Sequence, residues 1–306
     1  MITMKIKESS SKIRYSQTLT VFAVSAALLT ILRLFQVKTS IDASTGFYTK
    51  NGFLIVLFYV ILGVSCLYMA VSAFVSGDSK EVTLENKKST SMFWITLVYS
   101  FLTFFDGASS FIKSVLGAGD TEVVGSVFKS LMTSGAIPLF LQSVFAILSG
   151  IFFIELAFLF KKGNGSAGKH RILALMPVGW IASRLLHLFV RKISFLKVSD
   201  LFLELSMCAF MVLFFMALAQ VSSNVYSTDS RWRLIGFGMP AALLSAIVSI
   251  PRLFFTIVDK SCINENHPFN IADLAFLVFM AVLALQLLKK EAPSSPAKEE
   301  ESEVVS

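Results

Sequence analysis

Residues 53–75 read FLIVLFYVILGVSCLYMAVSAFV, a run of apolar and small residues with no charge anywhere in it. A helix needs about 20 predominantly apolar residues to cross a hydrocarbon core of roughly 30 Å, so this run is long enough to span. A barrel strand would instead alternate apolar and polar residues over about ten positions. No such alternation is present, and an unbroken apolar run in lipid must satisfy its own backbone groups, which a helix does.

Seven more stretches have the same character, giving spans at 17–37, 53–76, 92–112, 135–160, 171–190, 201–222, 232–255 and 271–288. The weakest is 92–112, which holds Asp106, Gly107 and three serines, Ser100, Ser109 and Ser110. The whole chain of 306 residues is 55% hydrophobic and only 15% charged, against about 25% charged in a soluble domain. The expected fold class is therefore all-α. It is a polytopic membrane bundle of eight transmembrane helices, arranged as four hairpins. Residues 1–16 form a basic N-terminus, 17–290 the membrane domain and 291–306 an acidic, disordered tail. The first span is expected to be a retained helix, because its apolar run exceeds the 7–15 residues of a signal peptide.

Basic residues favour cytoplasmic loops. Of the 27 Lys and Arg, sixteen fall on the side of the N-terminus and eight on the other, while Arg33, Arg184 and Arg252 lie inside spans. This bias places both termini in the cytoplasm, and the loop style suggests a bacterial cell membrane. The net charge of +7 fits contact with anionic headgroups. There is no concentrated basic face for nucleic acid.

Three cysteines, with Cys66 and Cys208 in spans and Cys262 in a loop, form no disulfide framework or zinc motif. His170, His187 and His267 have no metal-ligand spacing. A loop site from Cys262, Glu265 and His267 is outweighed by an ordinary polar loop. GNGSAGKH at 163–170 fits GxxxxGK, yet His170 replaces the Mg²⁺-binding hydroxyl, and no strand precedes it as a phosphate cradle requires. No HExxH or GxSxG occurs. No cofactor, metal or enzymatic activity is expected.

The informative groups are the ionisable residues inside spans, which by default mark function. Arg33 lies about 22 Å along its helix, short of the far interface. Each intramembrane arginine must snorkel or find an acid. Arg184 and Glu204 are equidistant from the intervening turn and should lie level, with Asp200 one turn from Glu204 on the same face. Arg252 and Asp273 flank Cys262 at nearly equal distances. For Arg33, Asp106 lies at matching depth on the third span. His187 shares the Arg184 face, and Glu155 lies near Lys161 and Lys162. The candidate binding residues are Arg33, Arg184, Arg252, Asp106, Glu204 and Asp273.

Pro177, Pro240 and Pro251 fall within spans and each removes a backbone donor. MPVGWIASRLLHL from Met176 and MPAALLSAIVSIPRL from Met239 resemble each other weakly, as do DLFLELSM from Asp200 and DLAFLVFM from Asp273. Internal repeats of this kind occur in transporters and in other bundles. In the loops, Phe47 and Tyr48 suit a headgroup belt, and 123–132 has the spacing of an interfacial helix.

Two functional readings follow. One is a carrier or receptor for a small anionic solute held by the arginines. The other is a scaffold that transports nothing and binds a protein partner. Small residues at Ala146, Ser149 and Gly150 would give such a scaffold a close-packing face.

Overall fold

The computed structural model describes residues 2–41, 48, 52–75, 88–119, 136–162, 171–190, 198–223, 230–259 and 269–288. The tail at 291–306, the loop stretches 123–132 and 163–170, and Phe47, Cys262, Glu265 and His267 lie outside them.

The helices are α1 (Ile2–Thr39), α2 (Gly52–Val75), α3 (Thr90–Gly119), α4 (Ile137–Lys162), α5 (Arg171–Ala174), α6 (Met176–Val190), α7 (Val198–Ser222), α8 (Ser230–Val258) and α9 (Ile271–Leu288). Seven segments are long and apolar enough to cross a membrane, α5 and α6 together forming one of them. The eighth, Ile271–Leu287, is shorter. The chain is a multi-pass membrane protein. The span expected to be weakest belongs to a 30-residue helix, and α1 begins at Ile2.

The turn at Leu175 separates α5 from α6. Pro177 therefore falls in the first turn of α6, where its missing N–H has no partner to lose. The Leu175 carbonyl accepts from Val178 N at 3.1 Å and Gly179 N at 3.2 Å. Pro240 and Pro251, by contrast, stay inside the continuous α8.

The consecutive pairs α1–α2, α3–α4, α6–α7 and α8–α9 are each in contact, and further contacts join them. Pairs α3–α4, α4–α6, α6–α7, α7–α8, α8–α9 and α9–α3 are all in contact, which closes six spans into a ring. Helices α1 and α2 pack on each other and on α8. Aromatic rings from around the ring of helices meet in its interior. Tyr99 stacks on Phe279 with centroids 5.3 Å apart, Phe214 meets Phe276 edge-on at 5.4 Å, and Phe153 and Trp180 both approach Phe215. In lipid, where burial away from water does not drive helix association, such van der Waals contact holds helices together.

The α3–α4 seam is the most extensive, and small residues make it close. A Cβ on Gly107 would stand 3.1 Å from Ala146 Cβ and 3.2 Å from the Ser143 carbonyl oxygen. Ser100 Oγ donates to the Gly150 carbonyl at 2.7 Å. Ala146 and Ser149 are fully buried within the chain. The small-residue face expected to serve an external partner is thus covered by the chain itself. On α2, Phe58, Leu62, Ser65, Met69 and Ala73 face inward at helical spacing, while Val56, Val60, Val64, Leu67 and Val71 are exposed.

Candidate functional site

Polar side chains from all but one of the spans collect at one end of the bundle. That end holds the C-terminal halves of α1, α3, α6 and α8 and the N-terminal parts of α4, α7 and α9, as the contacts between them require.

Arg184 of α6 is at its centre. Its Nη1 donates to Asp273 Oδ1 at 2.5 Å and its Nη2 to Asp273 Oδ2 at 2.8 Å. This two-pronged pairing matches the planar fork of the guanidinium to the carboxylate. Nη2 also donates to Glu204 Oε1 at 2.9 Å. Arg184, Glu204 and Asp273 are all buried. The expected level pairing of Arg184 and Glu204 across their turn is seen. Asp273, expected level with Arg252, pairs with Arg184 instead.

Arg252 of α8 reaches the other oxygen of the same glutamate, Nη2 to Glu204 Oε2 at 3.3 Å. This is its one side-chain hydrogen bond among the described residues, for a group that carries five N–H donors. Its side chain is 11% exposed. One turn back on the same helix, Ser249 is 2% exposed and its Oγ has no hydrogen-bond partner.

Arg33 does not meet Asp106. It pairs with Asp200 on α7 and donates to the Tyr48 hydroxyl at 2.7 Å and to Gln36 Oε1 at 3.4 Å. Gln36 in turn donates to the Leu54 carbonyl at 3.2 Å, tying α1 to the start of α2. The guanidinium is 2% exposed, so it is enclosed rather than snorkelling. Tyr48, expected in a headgroup belt, is instead drawn down onto Arg33. Depth matching failed here because it fixes height along a helix and not direction around it. α1 packs on α2 and α8, while α3 packs on α4 and α9.

Asp106 has no ion-pair partner among the described residues. Three neutral donors hold it. Trp180 Nε1 reaches Oδ2 at 3.0 Å, Asn270 Nδ2 reaches Oδ1 at 2.8 Å, and Gln142 Nε2 reaches Oδ2 at 3.4 Å. Asn270 also caps α9, its Oδ1 accepting from Ala272 N at 2.9 Å. The positive end of the α9 dipole therefore faces both Asp106 and Asp273, the arrangement that favours negative charge.

All six candidate residues lie in this region, in two parts. Arg184, Glu204, Asp273 and Arg252 form one connected network. Arg33 joins its face through Asp200, one turn from Glu204 on α7, and Asp106 joins it through the α9 cap. Asp200 was read on the Glu204 face but given no partner, and the residues missed were Gln36, Tyr48, Gln142, Trp180, Ser249 and Asn270. Asn270 had a legible signal, since Asn-x-x-Asp before an apolar run is a capping pattern. His187 is half-buried, one turn on from Arg184. Glu155 has no ion pair among the described residues, and Lys161 sits over the Phe93 ring at 5.0 Å.

No family model matches the chain, and neither a curated protein nor a solved structure matches it.

Proposed function

We propose that this membrane protein is a carrier or receptor for a small solute bearing an anionic group, with Arg252 as its contact. The observation that carries the reading is the contrast between two arginines sharing one glutamate. Arg184 makes three short charge-assisted bonds. Arg252 makes one long one and keeps donors to spare. Arg184 is therefore the fixed element that holds Glu204, and Arg252 is the group able to exchange partners. Both termini are taken to be cytoplasmic on the charge bias, which puts the site in the outer half of the membrane. The role is binding, not bond-making chemistry.

The test is thermal unfolding of the detergent-purified protein against small carboxylates, phosphates and sulfates, beside Arg252→Gln. A ligand that binds only the folded state raises the midpoint with the logarithm of its concentration. Stabilisation of the wild type that is lost in Arg252→Gln is the expected result. If no ligand shifts the wild type, the reading falls.

A second reading, a non-transporting scaffold, is favoured by one observation: each of the three intramembrane arginines meets a carboxylate, as structural pins would. It predicts that Arg252→Gln melts earlier with every ligand and with none, and that a protein partner co-purifies.

A further inference from the structure

An anion that takes the donors of Arg252 left unused by Glu204 lies beside that glutamate. The consequence depends on the charge of the arriving solute. The three arginines Arg33, Arg184 and Arg252 pair with the three carboxylates Asp200, Glu204 and Asp273, and Asp106 at the α9 cap is a fourth. A simple anion entering this enclosed network adds an unbalanced negative charge and repels Glu204. In a medium of low dielectric, an uncompensated charge is costly. A zwitterion adds none. Its anionic group takes Arg252 and its ammonium takes Glu204, so one long ion pair is exchanged for two contacts of normal length.

The surroundings supply further polar groups that have no use in the unliganded protein. Ser249 Oγ, buried and without a partner, lies three residues before Arg252, on the same face of α8. Thr30 Oγ1, also buried and without a partner, lies three residues before Arg33 on α1, which packs against α8. Arg33 and Arg252 reach Asp200 and Glu204, which are one turn apart on α7. The two hydroxyls therefore lie one turn deeper than the two arginines. Buried polar groups left unsatisfied are uncommon and call for an explanation such as an absent bound molecule.

We infer that the notch between α1, α7 and α8, bounded by Arg252, Glu204, Ser249 and Thr30, binds a small zwitterion. It does so by inserting the ligand's opposite charges between Arg252 and Glu204. This rests on the proposed solute-binding role and specifies its substrate class. An α-amino acid and a zwitterionic lipid headgroup share this chemistry.

The experiment compares matched ligands by thermal shift on the full-length protein in detergent: glycine, alanine and leucine against acetate, propionate and 4-methylvalerate, which lack the ammonium. A parallel arm uses nanodiscs with and without phosphatidylethanolamine. The expected result is that at least one zwitterion binds ten-fold or more tightly than its deaminated counterpart, with the lipid arm taking that role if the source is a headgroup. Ser249→Ala should weaken that ligand several-fold while leaving the unliganded midpoint unchanged or higher, since it removes a hydroxyl that has no partner. If the plain carboxylates bind as tightly or more tightly, the zwitterion assignment is overturned and the anion reading stands. If neither class nor the lipid shifts the midpoint, both fall. If Ser249→Ala lowers the unliganded midpoint and leaves affinity unchanged, the notch is the wrong location.

Discussion

Glu204 divides its two oxygens between Arg184 and Arg252, and the two arginines should respond very differently to replacement. Removing the Arg184 guanidinium takes the two-pronged partner from buried Asp273 and leaves Glu204 its long contact with Arg252. Breaking a buried pair from one side costs about 3–5 kcal/mol, so Arg184→Gln should be severely destabilised in chemical or thermal denaturation. Arg252→Gln forfeits one long contact with a glutamate that keeps Arg184, and it should be clearly less destabilised. Equal losses for the two would show that the network does not distinguish them. A carboxylate with two cationic partners also explains why Glu204→Gln should perturb both helices α6 and α8, where Asp273→Asn perturbs chiefly α6.

At the scale of elements, the spans were legible because hydropathy over twenty residues is a strong signal that tertiary structure seldom overrides. The break before Pro177 and the cap at Asn270 were also written locally. The pairings were less accessible. Equal distance from a turn correctly set Arg184 beside Glu204, where the two helices are consecutive and in contact. The same logic misassigned Arg33, because its acid belongs to a helix five spans away in sequence and only packing decides which faces meet. Small residues in α4 gave a correct signal of close approach and the wrong partner, since α3 fills that face. This seam gives a test. Gly107→Val would press its side chain against Ala146, Ile147 and the Ser143 backbone, and backbone does not move aside readily. Overpacking typically costs about 1–3 kcal/mol. The neighbouring bonds of Asp106 to Trp180 and Asn270 should loosen with it, seen as a shift in Trp180 fluorescence. An unchanged midpoint would mean that α3 and α4 are less tightly apposed than described.

For the whole molecule, orientation is testable with two exposed positions at opposite ends of the bundle. In a background without native cysteines, Lys38→Cys should react with a membrane-impermeant maleimide added to intact cells. Lys162→Cys should react only after permeabilisation. The reverse pattern would invert the topology and turn the Arg252 site toward the cytoplasm.

The pairing of Arg33 with Asp200 spans 167 residues of sequence, and this separation bears on how the chain is made. Helices of a multi-pass protein leave the ribosome in order, so α1 arrives with its arginine long before α7 has been synthesised. An arginine near the centre of a lone helix costs about 3 kcal/mol on insertion scales. Arg184 waits likewise for Asp273 on α9. The nascent protein must therefore hold unmatched cations at the rim of the insertion machinery until α7 and α9 arrive. Assembly then proceeds from the C-terminal half backward, with the first helix among the last to be locked in place.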